Sequence, residues 1–135
     1  VLEVGTGSGY QSAVLAELAE MVFSVERIES LARRATEVLR NLGYANVLVK
    51  IGDGTLGWSE RSPYDAILIT AGAPDVPSAL FEQMKDRGRM VAPLGSSYSQ
   101  VLTVIERIGR KPRKRSLFSC VFVPLIGEHG WKEGY

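Results

Sequence analysis

No run of apolar residues in this 135-residue chain approaches the roughly 18 that cross a bilayer, and no signal peptide is visible, so a membrane partner is not expected. Cysteine is scarce. Cys120 stands alone, which excludes an internal disulfide and makes a reducing cytoplasm the expected setting. It sits in a hydrophobic run with no basic neighbour adjacent in sequence, so a buried, inert thiol is expected. Histidine is equally rare: His129 is the only one, and it reads as a surface loop residue rather than an acid or base. An excess of either charge is also missing. Sixteen basic and 15 acidic residues leave a net charge of +1, which supplies no global pull toward nucleic acid. There is no internal repeat, low-complexity stretch or interdomain linker. What remains is ordinary for a globular chain, 45% hydrophobic and 23% charged, and long enough for one domain that buries roughly two-thirds of its unfolded surface.

The chain alternates strand and helix patterns. Residues 1–4 read as a strand, and a glycine loop leads into a helix whose apolar residues Val14, Leu15 and Leu18 share a face. A second strand, 21–25, ends at Glu26. A helix over 29–42 repeats Leu31, Ala35, Val38, Leu39 and Leu42, and Gly43 stops it. Strands follow at 47–51, at 64–70 and at 88–94, with a helix over 78–85 before the last of these. The fourth strand is apolar throughout Ala66-Ile67-Leu68-Ile69, as in a strand covered on both faces. The rhythm then changes: runs at 100–108 and 117–123 have no helix between them and form a hairpin joined by "GRKPRKRS". The expected architecture is α/β, a Rossmann-like doubly wound, mostly parallel sheet with a C-terminal antiparallel hairpin. Because the first strand begins at Val1 without lead-in, an upstream portion is expected to be absent.

"GTGSG" places three glycines in five positions directly after the first strand. Such a turn brings a ligand against bare backbone and the positive end of a helix; the plain alternative is a tight turn with no ligand. Dinucleotide loops favour G-x-G-x-x-G, which would need glycine where Tyr10 stands. Gly5, Gly7 and Gly9, preceded by Glu3, suit a ligand without a pyrophosphate. Glu26, at the tip of the second strand about twenty residues on, can accept hydrogen bonds from both ribose hydroxyls. Read alone, it is an acidic strand end that favours solubility. Asp53, between Gly52 and Gly54 at the third strand tip, could accept from an adenine amine, and read alone it is a turn. Three compatible strand tips on one sheet edge point to an adenosine held without phosphates.

These motifs together resemble the S-adenosylmethionine-dependent methyltransferases of the Rossmann-like class, and more narrowly the protein-L-isoaspartate (D-aspartate) O-methyltransferase family. The matching stretches are "VLEVGTGSGYQSAVLAEL", "VFSVERIESLARRATEVLRNLGYANV", "GDGTLGW", "YDAILITAGAPDVPSALFEQMKDRGRMVAPLG" and "FVPLIGEHGW". The resemblance implies S-adenosylmethionine as cofactor, isoaspartyl-containing proteins or peptides as partners, no nucleic acid, no metal, and a monomer at full length. It puts Gly5, Gly7 and Gly9 at the methionine end, with Glu3, Thr6 and Gln11 around them. It puts Glu26 at the ribose, Gly52, Asp53 and Gly54 at the adenine, and Thr70 where methyl and acceptor meet, with Arg27 also among the cofactor-binding residues. The late "VPLIG" lines the active-site side.

No catalytic residue is assigned, because an α-carboxylate with a pKa of about 3 to 4 is already ionised and needs no base. The family also carries, before its first strand, a region with a serine motif that shapes the isoaspartyl pocket, and nothing of it is present here. These residues alone are therefore expected to bind S-adenosylhomocysteine weakly and to transfer little methyl. The alternatives are a same-fold methyltransferase for a small molecule or RNA, and a non-catalytic cofactor-binding module. Arg110 to Arg115, five basic residues in six, is expected to be a solvated hairpin tip, since no aromatics interleave to stack bases.

Overall fold

In the computed structural model, which describes residues 1–134, seven strands form one sheet in the order β3-β2-β1-β4-β5-β6-β7. The strands are β1 Leu2–Val4, β2 Val22–Glu26, β3 Val47–Ile51, β4 Tyr64–Ile69, β5 Met84–Gly95, β6 Gln100–Ile108 and β7 Lys111–Cys120. Strands β1 to β5 run parallel and β6 and β7 antiparallel, so the expected mixed sheet is the one observed. Helices α1 (Tyr10–Leu18), α2 (Glu29–Asn41) and α3 (Ser78–Glu82) link the parallel part. The order reverses between β1 and β4. Strand β1 lies between β2 and β4, and a crevice opens at the carboxyl ends of these three strands.

Apolar side chains of the central strands make the core. Leu2, Ile67 and Met90 stand in register across β1, β4 and β5, and all are fully buried. Leu80 of α3 closes over them. At the far end of that face, Phe23 meets Trp58 edge-on with ring centroids 5.5 Å apart. Asp65 pairs with Lys85 at 3.0 Å on the surface, away from the crevice, in the structural role expected of it.

Several expectations need correction. The expected stripe of α1 is only partly covered: Leu15 is half-buried, Val14 and Leu18 are exposed, Leu18 by 80%, and the fully buried residue of this helix is Ser12. Helix α2 buries Ala32, Ala35 and Leu39, leaving Leu31, Val38 and Leu42 outward. In α2 the expected Ala35 and Leu39 are thus buried, and the face that packs on the sheet includes the small Ala32 in place of the larger Leu31, Val38 and Leu42. Strand β4 is only half covered, since Ala66 and Leu68 are partly exposed while Ile67 and Ile69 are buried. Helix α3 stops at Glu82, and β5 takes over from Met84, because Arg107 of β6 donates to the carbonyls of Phe81, Glu82 and Met84 and ends the helix there.

The last strand is Lys111–Cys120, not 117–123, and the turn is confined to Gly109 and Arg110. The basic run is thus a charged edge strand rather than a loop. Arg113 bonds Glu106 at 2.7 Å and Lys114 pairs with Asp75 at 3.3 Å, leaving an edge that repels strand addition. Cys120, at the end of that strand, is partly exposed rather than buried. Among the described residues, no helix is long and apolar enough to cross a membrane, and no cluster of ligands could hold a metal ion.

Candidate cofactor cavity

The glycine loop is built from beneath. Ser12 and Ser24 both donate to Glu3 Oε1, the latter at 2.6 Å, and Thr6 Oγ1 lies 2.6 Å from Ser24 Oγ. Because the Ser24 proton is committed to Glu3, Thr6 donates to Ser24. The chain Thr6–Ser24–Glu3–Ser12 ties the loop, β2, β1 and α1 together, and all four residues are buried. Glu3 Oε2 has no hydrogen-bond partner among the described residues. Burial pushes the Glu3 carboxyl above its ordinary value, the two serine hydroxyls oppose this, and the charge of Glu26 adds to the upward push.

Glu3→Gln is therefore expected to fold. Because the folded carboxyl titrates above its ordinary 4.5, the contribution of Glu3 is fully present below that pH and is lost as pH rises through the folded value. Relative to Glu3→Gln, the wild type should lose stability between acid and neutral pH, with Glu26 the titratable group facing it. Urea denaturation of both proteins across that range checks this, and a gap that is flat or of opposite slope contradicts it.

Above this base the loop needs glycine at two places for two reasons. Gly5 has φ 98°, and a Cβ there would collide with Thr70 Oγ1. Thr70 in turn lies 2.9 Å from the Val4 carbonyl and 2.8 Å from the Gly5 carbonyl, pinning the loop to the tip of β4. Gly7 has φ 54°, and a Cβ there would meet nothing within 4 Å, so this glycine leaves open space in front of the backbone. Its amide donates to Glu26 Oε1 at 2.8 Å, while Glu26 Oε2 accepts from the Ile28 amide at 3.0 Å. One carboxylate at the tip of β2 thus fixes both the loop and the entry to α2.

These groups border a cavity of about 490 Å³, within the size range of small-molecule sites. Gly5, Gly7, Glu26, Arg27, Gly54 and Thr70 of the expected site residues line it. Arg27 reaches outward to Glu133 at 3.8 Å. Its remaining walls are apolar: Ile28 and Leu31 on one side, Val123 to Ile126 on the other.

The other expected residues stand behind the wall. Glu3 and Thr6 are in the buried network, Gly9 abuts Ala35 and Leu39 of α2, and Gln11 lies in the first turn of α1. The Gly52 amide donates to the Glu26 carbonyl at 3.0 Å. Asp53 Oδ1 accepts from the amide of Thr55 at 2.9 Å and from its hydroxyl at 2.6 Å, and Oδ2 accepts from the Glu128 amide at 2.9 Å. Partial burial works to raise the Asp53 carboxyl, but these hydrogen bonds and the nearby His129 outweigh it and hold the group below its ordinary value. Sequence reasoning did not single out Ser12, Ser24, Ile28, Leu31 or Thr55. Ser24 was findable, as a lone hydroxyl in the otherwise apolar run "VFSVE"; the others carried no signal apart from the fold. The Trp131 indole N–H donates to the Gly72 carbonyl at 3.1 Å.

The protein-L-isoaspartate(D-aspartate) O-methyltransferase family model matches residues 1–130. A protein-L-isoaspartate O-methyltransferase of Syntrophus aciditrophicus is 57% identical over 134 residues, which is 97% of this chain and 62% of that protein. One from Dictyoglomus turgidum is 51% identical over 133 residues, covering 98% of this chain and 60% of that protein. The chain thus spans about three-fifths of the length of the curated relatives it matches. Among solved structures, a protein-L-isoaspartate O-methyltransferase superposes with a TM-score of 0.89 at 32% identity, over 96% of this chain and 42% of the other. A Plasmodium falciparum protein described as a protein-L-isoaspartate O-methyltransferase, solved in complex with S-adenosyl-L-homocysteine, superposes with a TM-score of 0.78 at 26% identity, over 93% of this chain and 64% of the other. Matched by the family model over residues 1–130 and 57% identical to a relative along 97% of its own length, this chain belongs to the protein-L-isoaspartate(D-aspartate) O-methyltransferase family.

Proposed function

We propose that these residues form the cofactor-holding part of a protein repair methyltransferase, which binds S-adenosylmethionine and esterifies the α-carboxylate of L-isoaspartyl residues in damaged proteins in the cytoplasm. The single observation that carries this is Glu26, which lines the cavity at the switch point with one oxygen on the Gly7 amide and the other on the Ile28 amide. A carboxylate has about four acceptor positions, and two are taken by Gly7 and Ile28, which leaves two for ribose hydroxyls.

The cavity fits the cofactor in its other parts as well. The open space before Gly7 admits the methionine end against bare backbone. Ile28 and Leu31 give a purine an apolar surface, and Gly54 borders the same space, its missing side chain letting the backbone pack against Val4. Bound there, S-adenosylmethionine supplies an electrophilic methyl group on a charged sulfur.

What the protein must add is alignment rather than acid–base work. The acceptor, with a pKa of about 3 to 4, is ionised at neutral pH, and holding oxygen, carbon and sulfur in line is worth several kcal/mol. Thr70, at the tip of β4, flanks the part of the cavity next to the open space before Gly7, where methyl and acceptor would meet.

Acceptor choice is tested with a polypeptide of its relatives' full length that contains these residues. Given labelled S-adenosylmethionine, a peptide with one isoaspartyl residue should gain a base-labile methyl ester while its aspartyl isomer does not. Equal labelling of both isomers, or labelling of RNA or small acids in their place, contradicts the assignment.

A further inference from the structure

The segment after β7 is held at both ends as it crosses the sheet edge. At its start the Phe122 amide donates to Gln100 Oε1 at 2.7 Å. The Gly72 amide donates to the Val123 carbonyl at 2.7 Å, and the Leu125 amide returns to the Gly72 carbonyl at 2.8 Å. At its far end the Glu128 amide donates to Asp53 Oδ2 at 2.9 Å and the His129 amide to Thr55 Oγ1 at 3.1 Å. Between these attachments lie Val123 to Ile126, one whole wall of the cavity.

Packing marks the same contact independently. A Cβ on Gly127 would collide with Asp53 Oδ1 and come within 2.7 Å of Thr55 Oγ1 and Cγ2. A Cβ on Gly130 would collide with the Leu125 carbonyl and lie 3.3 Å from Thr55 Cγ2. Two glycines in four residues are thus spent on bringing the segment down onto Asp53 and Thr55. Of the four or so acceptor positions of the Asp53 carboxylate, Thr55 takes two and Glu128 a third. A residue devoted to an adenine amine would keep its lone pairs toward the cavity, yet Asp53 does not line it.

We infer that Asp53 is a positioning residue: it latches the 122–131 strap across the carboxyl ends of the strands, and so sets the apolar wall against which the adenosine is held. The effect on ligand rests on the cofactor reading of the cavity, whereas the latching of the strap does not, so the two can fail separately.

Asp53→Asn, nearly the same shape, puts an amide donor against either the Glu128 or the Thr55 N–H. Hydrogen exchange of the folded chain should accelerate at the Glu128 and His129 amides by about tenfold, the equivalent of one hydrogen bond. The Gly7 and Ile28 amides should be unaffected, and affinity for S-adenosylhomocysteine should fall by about tenfold. Gly127→Ala, which forces the same contact apart from the strap's side, should reproduce both effects and replaces Asp53→Asn if that variant does not fold. Faster exchange in a chain that binds no S-adenosylhomocysteine upholds the latch and removes the cofactor reading. Unchanged exchange at 128 and 129 in folded variants, or faster exchange with unchanged affinity in a binding-competent chain, overturns the latch.

Discussion

Glu26→Ala is expected to weaken S-adenosylhomocysteine binding at least a hundredfold, the largest loss from any one side chain in the cavity. Three contributions are removed together. The ligand loses a charged acceptor for its ribose hydroxyls, and hydrogen bonds to charged groups are each worth about 1.5–3 kcal/mol. The Gly7 amide loses its 2.8 Å partner, so the loop is no longer held in its binding form, and the Ile28 amide loses the bond that fixes the entry to α2. With tenfold for every ~1.4 kcal/mol, even two such bonds exceed a hundredfold. Folding should suffer less, because the freed amides lie at the cavity rim, where water can reach them. Calorimetry on a variant with a wild-type denaturation midpoint checks this; a loss below tenfold would mean that Glu26 serves the fold alone.

Gly5→Ala is expected to strike the fold instead, at about 3 kcal/mol or more. A non-glycine residue in the left-handed region costs about 1–2 kcal/mol, and the new methyl would collide with Thr70 Oγ1. To escape, Thr70 must leave the Val4 and Gly5 carbonyls, which gives up roughly another 1 kcal/mol. Gly7→Ala is the informative contrast. It pays the same backbone strain without a collision, since open space surrounds that position. It should therefore cost only about 1–2 kcal/mol in stability while placing a methyl group where the ligand belongs. Urea denaturation of both variants separates the cases, and equal destabilisation would contradict the distinction between a packed and an open glycine.

The parts of the molecule that were legible in the sequence are those dictated by local chemistry. Alternating strand and helix patterns, the glycine loop, and the acidic ends of β2 and β3 all follow from period, turn chemistry and spacing. The sheet with its antiparallel end matches the expectation closely. Helix faces were less legible. In α1 the apolar residues Val14 and Leu18 point out and Ser12 points in, because a buried carboxylate on β1 selects a hydroxyl over a hydrocarbon. That choice depends on Glu3 facing α1, a tertiary fact that no hydrophobic period contains. The boundary of β7 failed for a similar reason. A run of lysine and arginine reads as a loop, yet pairing with β6 places it in the ladder, with Glu106 and Asp75 absorbing part of the charge.

The site divides in the same way. Residues that line the cavity through backbone or strand-tip geometry (Gly5, Gly7, Glu26 and Thr70) were identifiable as a group, because their types and spacing stand out in the sequence. Glu3 and Asp53 were equally visible as acids next to glycines, but their partners were not. The first is turned inward to two serines and the second across the chain to Glu128, 75 residues away. An acid beside a glycine turn is compatible with holding a ligand and with holding the protein, and only long-range hydrogen bonds decide between the two.

The most direct test of the central claim is a titration of the folded chain with S-adenosylhomocysteine, followed both by calorimetry and by amide chemical shifts. The account predicts saturable one-to-one binding, with the largest shifts at Gly5, Gly7, Ile28, Gly54 and Thr70 around the carboxyl ends of β1, β2 and β4. A folded sample that gives no heat, or shifts gathered on the groove between α2 and β3, would contradict it.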